Sequence, residues 1–203
     1  MSHADAIPGL YARHAEAFDR VRGKNGFERS WLDRLVAPLP AGAHVLDIGC
    51  GSGEPIAAEL IGRGFVVTGL DVSEPLIRLC RERFPRFDWH VGDMRDLSLG
   101  RTFEAIVAWH SFFHLTPEAQ RAMFPRFASH AASGATLMFT SGPAAGVAVG
   151  EFEGEPLYHA SLDPEEYRAL LAENGFVVLQ HVVEDPTCGG ATVWLAQKAL
   201  RQD

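Results

Sequence analysis

The chain reads as an α/β fold on a mostly parallel sheet, and three observations predict it. From His44 onward, short buried strand-like runs alternate with helical segments. A glycine-rich turn follows the first of those runs and precedes the first helix. Two closing runs, 176–183 and 191–197, flank a turn-forming stretch at 185–190 and read as a hairpin. Alternation implies parallel pairing through helical crossovers, and the hairpin adds one antiparallel strand.

Composition sets the bounds. A chain of 203 residues with 47% hydrophobic and 22% charged residues can bury a large core without staples. The net charge of -8 is dispersed and repels phosphate backbones, so no nucleic-acid partner is expected. Cys50, Cys80 and Cys188 lie far apart without metal-type spacing and read as reduced thiols of a cytoplasmic protein. The N-terminus lacks a signal-peptide pattern, and no apolar run reaches membrane-spanning length.

In chain order, residues 1–40 form a helical cap on a single domain. Leu10, His14, Phe18 and Val21 recur at helical spacing, and so do Phe27, Trp31, Leu35 and Val36, giving two helices separated by 23–26. Pro38 and Pro40 end the second. The core, 41–140, carries strands at 44–49, 65–70, 87–91, 103–109 and 135–140. Ser73 is placed as the N-cap of the helix after the second strand, Thr116-Pro117 opens a later helix, and Pro125 is expected to kink it. The remainder, 141–203, holds a glycine-rich lid segment (141–161), a helix begun by a capping box at Asp163, and the closing hairpin.

The strongest chemical signal is Val45-Leu46-Asp47-Ile48-Gly49-Cys50-Gly51-Ser52-Gly53. Glycines after a buried strand let the backbone turn tightly and approach a ligand. Asp71, closing the next strand, is placed to accept hydrogen bonds from ribose hydroxyls. The plainer alternative is a glycine turn beside a strand-end acid, with no ligand; the agreement of pieces in order and spacing weighs against it. Glu54 stands where a dinucleotide fingerprint wants a third small residue, and Asp47 adds charge beside the turn. A cationic ligand tolerates two carboxylates there better than a pyrophosphate does. That disfavours a nicotinamide-dependent oxidoreductase, as does the lack of a Tyr-x-x-x-Lys pair.

These motifs resemble the class I S-adenosylmethionine-dependent methyltransferases, over nearly the whole chain. The resemblance implies a Rossmann-like, seven-stranded sheet with helices on both faces and strand seven antiparallel. It also implies S-adenosylmethionine as cofactor. Asp47, Gly49, Gly51 and Gly53 would cradle its methionine part; Asp71 would hold the ribose, with Val72 against adenine. His90-Val91-Gly92-Asp93-Met94 is similar to the family's third motif, implying Asp93 near the adenine amino group and Met94 beside the ring. The fourth strand ends at Trp109, whose carbonyl would face the sulfonium, and Tyr11 resembles a first-helix residue that covers the cofactor. The family members that methylate amide or base nitrogens carry an Asn/Asp-Pro-Pro-aromatic turn, replaced here by Trp109-His110-Ser111-Phe112. A small-molecule acceptor follows.

Among the nine histidines, His110 and His114 have a four-residue spacing that metal ligands sometimes use, but no third ligand accompanies them and no metal is expected. His114 and His159 follow strands whose carboxyl ends meet at the ligand edge, so both are expected beside the acceptor as catalytic residues. The remaining histidines read as structural or surface residues, the tryptophans Trp31, Trp89 and Trp194 as core, and Cys188 as an unreactive loop thiol. The expected protein is a methyltransferase, monomer or homodimer; the rival reading is a related protein that binds the cofactor without turnover.

Overall fold

The computed structural model describes residues 3–23 and 26–200. Its N-terminal part holds three helices, α1 (His3–Arg13), α2 (Ala15–Val21) and α3 (Arg29–Val36), where two were expected. The first expected helix breaks at His14, whose backbone leaves helical geometry while its Nε2 meets Glu155 Oε1 at 2.7 Å. Trp31 of α3 is fully buried and donates its indole N–H to Asp185 Oδ2 at 2.8 Å, pinning the cap to the body.

The body follows the alternation: β1 (His44–Ile48), α4 (Ile56–Gly62), β2 (Val66–Asp71), α5 (Glu74–Arg83), β3 (Asp88–Val91), β4 (Phe103–Ala108), α6 (Pro117–His130) and β5 (Ala131–Ser141). After β6 (Gly146–Phe152) and β7 (Glu155–Ser161) come α7 (Pro164–Glu173), β8 (Phe176–Asp185) and β9 (Ala191–Lys198). Seven strands form one sheet in the order β3-β2-β1-β4-β5-β9-β8. β1 to β5 pair in parallel, and β9, the last strand in the chain, runs antiparallel to both β5 and β8. Neighbouring residues on one strand serve opposite faces. Leu46 and Ile48 join Phe112, Phe127 and Trp194 on one side, while Val45 joins Trp31, Leu60 and Ile77 on the other. Burial on both faces explains why these strands read as continuous apolar runs.

The 141–161 segment is not a loop. β6 and β7 pair antiparallel from Gly146↔Ser161 to Phe152↔Glu155 as a separate two-stranded sheet. Glu153 and Gly154, at φ 53° and 79°, make the two-residue turn, the geometry that matches strand twist in a hairpin. Smaller differences have local causes. Helix α6 runs unbroken through Pro125. The Ser73 hydroxyl donates to the Tyr11 carbonyl (3.3 Å) instead of capping α5. Asp163 caps α7 through the Glu165 N–H at 2.8 Å, but Glu166 does not complete a capping box: it pairs with Arg121 of α6. Among the described residues no helix is long and apolar enough to cross a membrane.

Candidate active site

The parallel strands β1, β2 and β4 deliver their carboxyl ends to one edge, and the site is built there. After β1 the chain passes Gly49 at φ 72°, where an added Cβ would lie 2.2 Å from Ser111 Cβ. Only glycine lets the turn pass that closely under the segment following β4. The turn is tied to β2: Gly51 N–H donates to Asp71 Oδ2 and Ser73 N–H to Asp71 Oδ1, both at 2.9 Å. Burial raises the Asp71 pKa while these backbone donors pull it back, and a carboxylate with lone pairs to spare remains beside the cavity. Asp47 is almost wholly buried and its Oδ2 has no hydrogen-bond partner. Burial, with the Asp71 charge adding, pushes its pKa up to about 7.

Two adjoining cavities open at this edge. The first lies between β2, the segment after β3 and α1, and its wall includes Asp71, Val72, Asp93 and Met94. The second reaches Arg22, Asp47, Trp109, Phe113, Leu157 and His159. Six residues line both and mark their seam: Tyr11, Phe18, Gly49, Gly51, His110 and His114.

At the seam the polar groups are ordered by their partners. The His114 Nδ1 lies 2.7 Å from the Tyr158 carbonyl, which can only accept, so Nδ1 carries the proton. Its Nε2 then accepts from the Tyr11 hydroxyl at 3.0 Å. Burial pushes His114 down to about 4 against the opposing pull of the Tyr158 carbonyl, so its ring is neutral at ordinary pH. Burial likewise raises Tyr11, with the Asp71 charge adding, so the phenol keeps its proton. His159, on β7, has its ring 4.9 Å from that of His114 and 5.0 Å from Phe113, and burial lowers its pKa too.

The structure thus gathers Tyr11, Asp47, Gly49, Gly51, Asp71, Val72, Asp93, Met94, Trp109, His114 and His159 around two contiguous cavities. Gly53 lines neither: the face where its Cβ would stand looks onto Phe84, 3.1 Å away, so its smallness serves packing against the end of α5. Asp93 is engaged by Arg95, with contacts of 2.6 to 3.0 Å. Among the wall residues not anticipated, two carry titratable side chains at or beside the seam. Arg22 follows Tyr11 and Phe18 at helical spacing, a signal the sequence did carry, and reaches the second cavity while paired with Glu28 at 3.1 Å. His110 holds a left-handed backbone at φ 51°, a conformation no sequence pattern announces for a histidine.

The residues fit the cofactor that the resemblance implies. The unpartnered Oδ2 of Asp47 suits an ammonium, Arg22 suits a carboxylate, and Asp71 suits a diol. Among the described residues no cluster of three or more His, Cys, Asp or Glu could hold a metal.

Comparison with known proteins gives consistent findings. Residues 45–134 match the family model described as a methyltransferase domain. The dTDP-3-amino-3,6-dideoxy-alpha-D-glucopyranose N,N-dimethyltransferase of Streptomyces fradiae is 35% identical over 144 residues, 64% of this chain and 55% of that protein. The magnesium-protoporphyrin O-methyltransferase of Rhodobacter capsulatus is 35% identical over 107 residues, 50% of this chain and 46% of that one. The chain spans about half the length of the curated relatives it matches. Among solved structures, a SAM-bound amino pentose methyltransferase from Micromonospora echinaspora, involved in calicheamicin biosynthesis, matches with a TM-score of 0.70 and 25% identity. That match covers 91% of this chain and 96% of that one.

Proposed function

We propose that the chain, which resembles the class I S-adenosylmethionine-dependent methyltransferases in sequence and fold, methylates a neutral nitrogen or oxygen nucleophile on a small molecule. The observation that carries the reading is the seam: nucleoside-type and acceptor-type walls meet across Tyr11, His110 and His114. The family's cofactor supplies an electrophilic methyl carbon on a sulfonium.

In this reading Asp71 holds the ribose hydroxyls, Val72 and Met94 flank adenine, and Asp93 lies toward its amino group. Asp47 takes the ammonium and Arg22 the carboxylate of the methionine end. The Tyr11–His114 pair forms a fixed wall that orients the acceptor, and His159 touches it from the hairpin. Positioning is the main contribution, worth roughly 7–11 kcal/mol when alignment is good. The acceptor is uncharged because the three imidazoles at the cavity are held neutral and Arg22 is already countered by Glu28. Several relatives act on amino sugars, which favours an amine. Three unpaired, buried cysteines favour the cytoplasm.

Incubating the protein with methyl-labelled S-adenosylmethionine and a cell extract tests this. Label should appear in a small-molecule product. Label found only in protein or nucleic acid, or nowhere despite tight S-adenosylhomocysteine binding, would overturn the assignment.

A further inference from the structure

Among the six seam residues only Tyr11, His110 and His114 have side chains able to exchange a proton. Two of them are committed. Tyr11 gives its hydroxyl hydrogen to His114 Nε2, and His114 gives its Nδ1 hydrogen to the Tyr158 carbonyl. His110 differs. Its backbone N–H is anchored to Thr140 Oγ1 at 2.9 Å, and its ring stacks on Trp109 at 5.3 Å and 13° and leans on Phe113. Among the described residues nothing hydrogen-bonds its ring nitrogens. The residue is exposed, and it lines both cavities. A left-handed φ of 51° at a β4 terminus is a strained choice for histidine, of the kind that persists where surrounding structure imposes it.

Resting on the methyltransferase reading above, we propose that His110, and not His114, faces the transferring methyl and receives the acceptor's proton. The acceptor's lone pair forms the new bond to the methyl carbon. The carbon–sulfur bond breaks and its pair stays on sulfur as the thioether of S-adenosylhomocysteine. The proton released by the nitrogen or oxygen moves to a free His110 ring nitrogen and leaves through the cavity. The cavity walls around its ring, with Arg22 adding, lower the His110 pKa to about 4, so the ring rests unprotonated and takes the proton only as the new bond to the methyl carbon forms. His114 then serves as a positioning residue that fixes Tyr11.

The test needs no knowledge of the acceptor. Calorimetry compares S-adenosylhomocysteine with sinefungin, which carries an ammonium where the donor methyl stands. In the native protein His110 accepts from that ammonium, and sinefungin binds about ten-fold tighter or more, as befits a hydrogen bond to a charged group. His110→Gly removes the ring and adopts the left-handed backbone freely, so the fold is kept. The preference should collapse to within about two-fold, with S-adenosylhomocysteine affinity unchanged. In the labelled-donor assay with extract, His110→Gly should lose about 100-fold in rate and recover several-fold with added imidazole. A preference that survives in His110→Gly, or a rate that added imidazole leaves untouched, overturns the His110 role alone. Absence of S-adenosylhomocysteine binding by the native protein would instead overturn the reading beneath it.

Discussion

The two halves of the site are built by different means. The polar floor of the nucleoside-type half is local, one glycine turn after β1 and one acid at the end of β2 joined by the Gly51–Asp71 hydrogen bond, with α1 closing over it. The acceptor half is assembled from distant pieces. Tyr11 and His114 are 103 positions apart, and His114 and Tyr158 are 44 apart. One half offers backbone shape and carboxylates; the other presents neutral imidazoles and aromatic rings. On the proposed assignment, the ligand common to a family would be read by chain geometry, and the ligand peculiar to this protein by tertiary contacts. Such contacts can change one at a time without disturbing the turn.

The largest expected effect strikes the local half. Gly49→Ala puts a Cβ 2.2 Å from Ser111 Cβ at φ 72°, and the Ser111 hydroxyl holds the Ile48 carbonyl at 2.7 Å. Left-handed strain of about 1–2 kcal/mol adds to an overlap of about 1–3 kcal/mol. S-adenosylhomocysteine affinity should fall by about 100-fold or more, with a lowered Tm; near-normal binding by calorimetry would show that the turn does not approach the cofactor.

Asp71→Ala comes next. It removes an acceptor for the ribose and leaves the Gly51 and Ser73 N–H groups without their partner. The expected loss is about 1.5–3 kcal/mol in S-adenosylhomocysteine affinity. Unchanged affinity would remove the main support for a nucleoside at this edge.

The same contrast governs what the sequence disclosed. The parallel sheet was legible because apolar runs alternate with helices, and the Asp47–Asp71 half because a glycine turn has a fixed local signature. The hairpin at 146–161 resembles a lid loop in sequence because its glycines interrupt the alternation; the Glu153-Gly154 turn is the signal the sequence does carry. The break at His14 depends on Glu155, far along the chain, and no helical periodicity encodes that contact. Strand ends alone point to His114 and His159, and the fold brings their rings to 4.9 Å. What position could not convey was which imidazole is free, since that depends on the Tyr158 carbonyl and the Tyr11 hydroxyl occupying His114.

A third effect, about ten-fold, concerns pH. Burial holds the folded pKa of Asp47 at about 7, well above the ordinary carboxylate range. In the free protein it therefore holds its proton more tightly than the unfolded chain does. Its linkage term is most favourable to folding below pH ~4 and is lost as pH rises toward 7. A cofactor ammonium demands the ionised form, so binding expels that proton. Affinity for S-adenosylhomocysteine should rise about ten-fold between pH 6 and 8, and Asp47→Asn should flatten the profile. His110 and His114, both near 4, do not titrate in this window. A native profile already flat in calorimetry would show that Asp47 does not face the ammonium.

The smallest effect belongs to the distant half and probes how its pieces are held together. Arg13 and His14, at the junction of α1 and α2, both bind Glu155 at the start of β7, the strand that carries Tyr158 and His159. This clasp joins the cap to the hairpin over the acceptor cavity, yet Arg13 is 54% and Glu155 35% exposed, so solvent screens it. Hydrogen bonds from the Arg13 guanidinium and from His14 hold the Glu155 carboxyl down at about 2, below the usual carboxylate range. The Glu155 contribution is therefore complete above the ordinary glutamate pKa and is lost only as pH falls toward 2. Salt is the lever instead. Glu155→Gln should raise the acceptor KM by no more than about five-fold, leave S-adenosylhomocysteine affinity unchanged, and be mimicked in the native protein by about 1 M salt. If the substitution weakened S-adenosylhomocysteine as much as the acceptor, the clasp would act on the first cavity through α1, which walls it, and the two halves would be coupled through the cap.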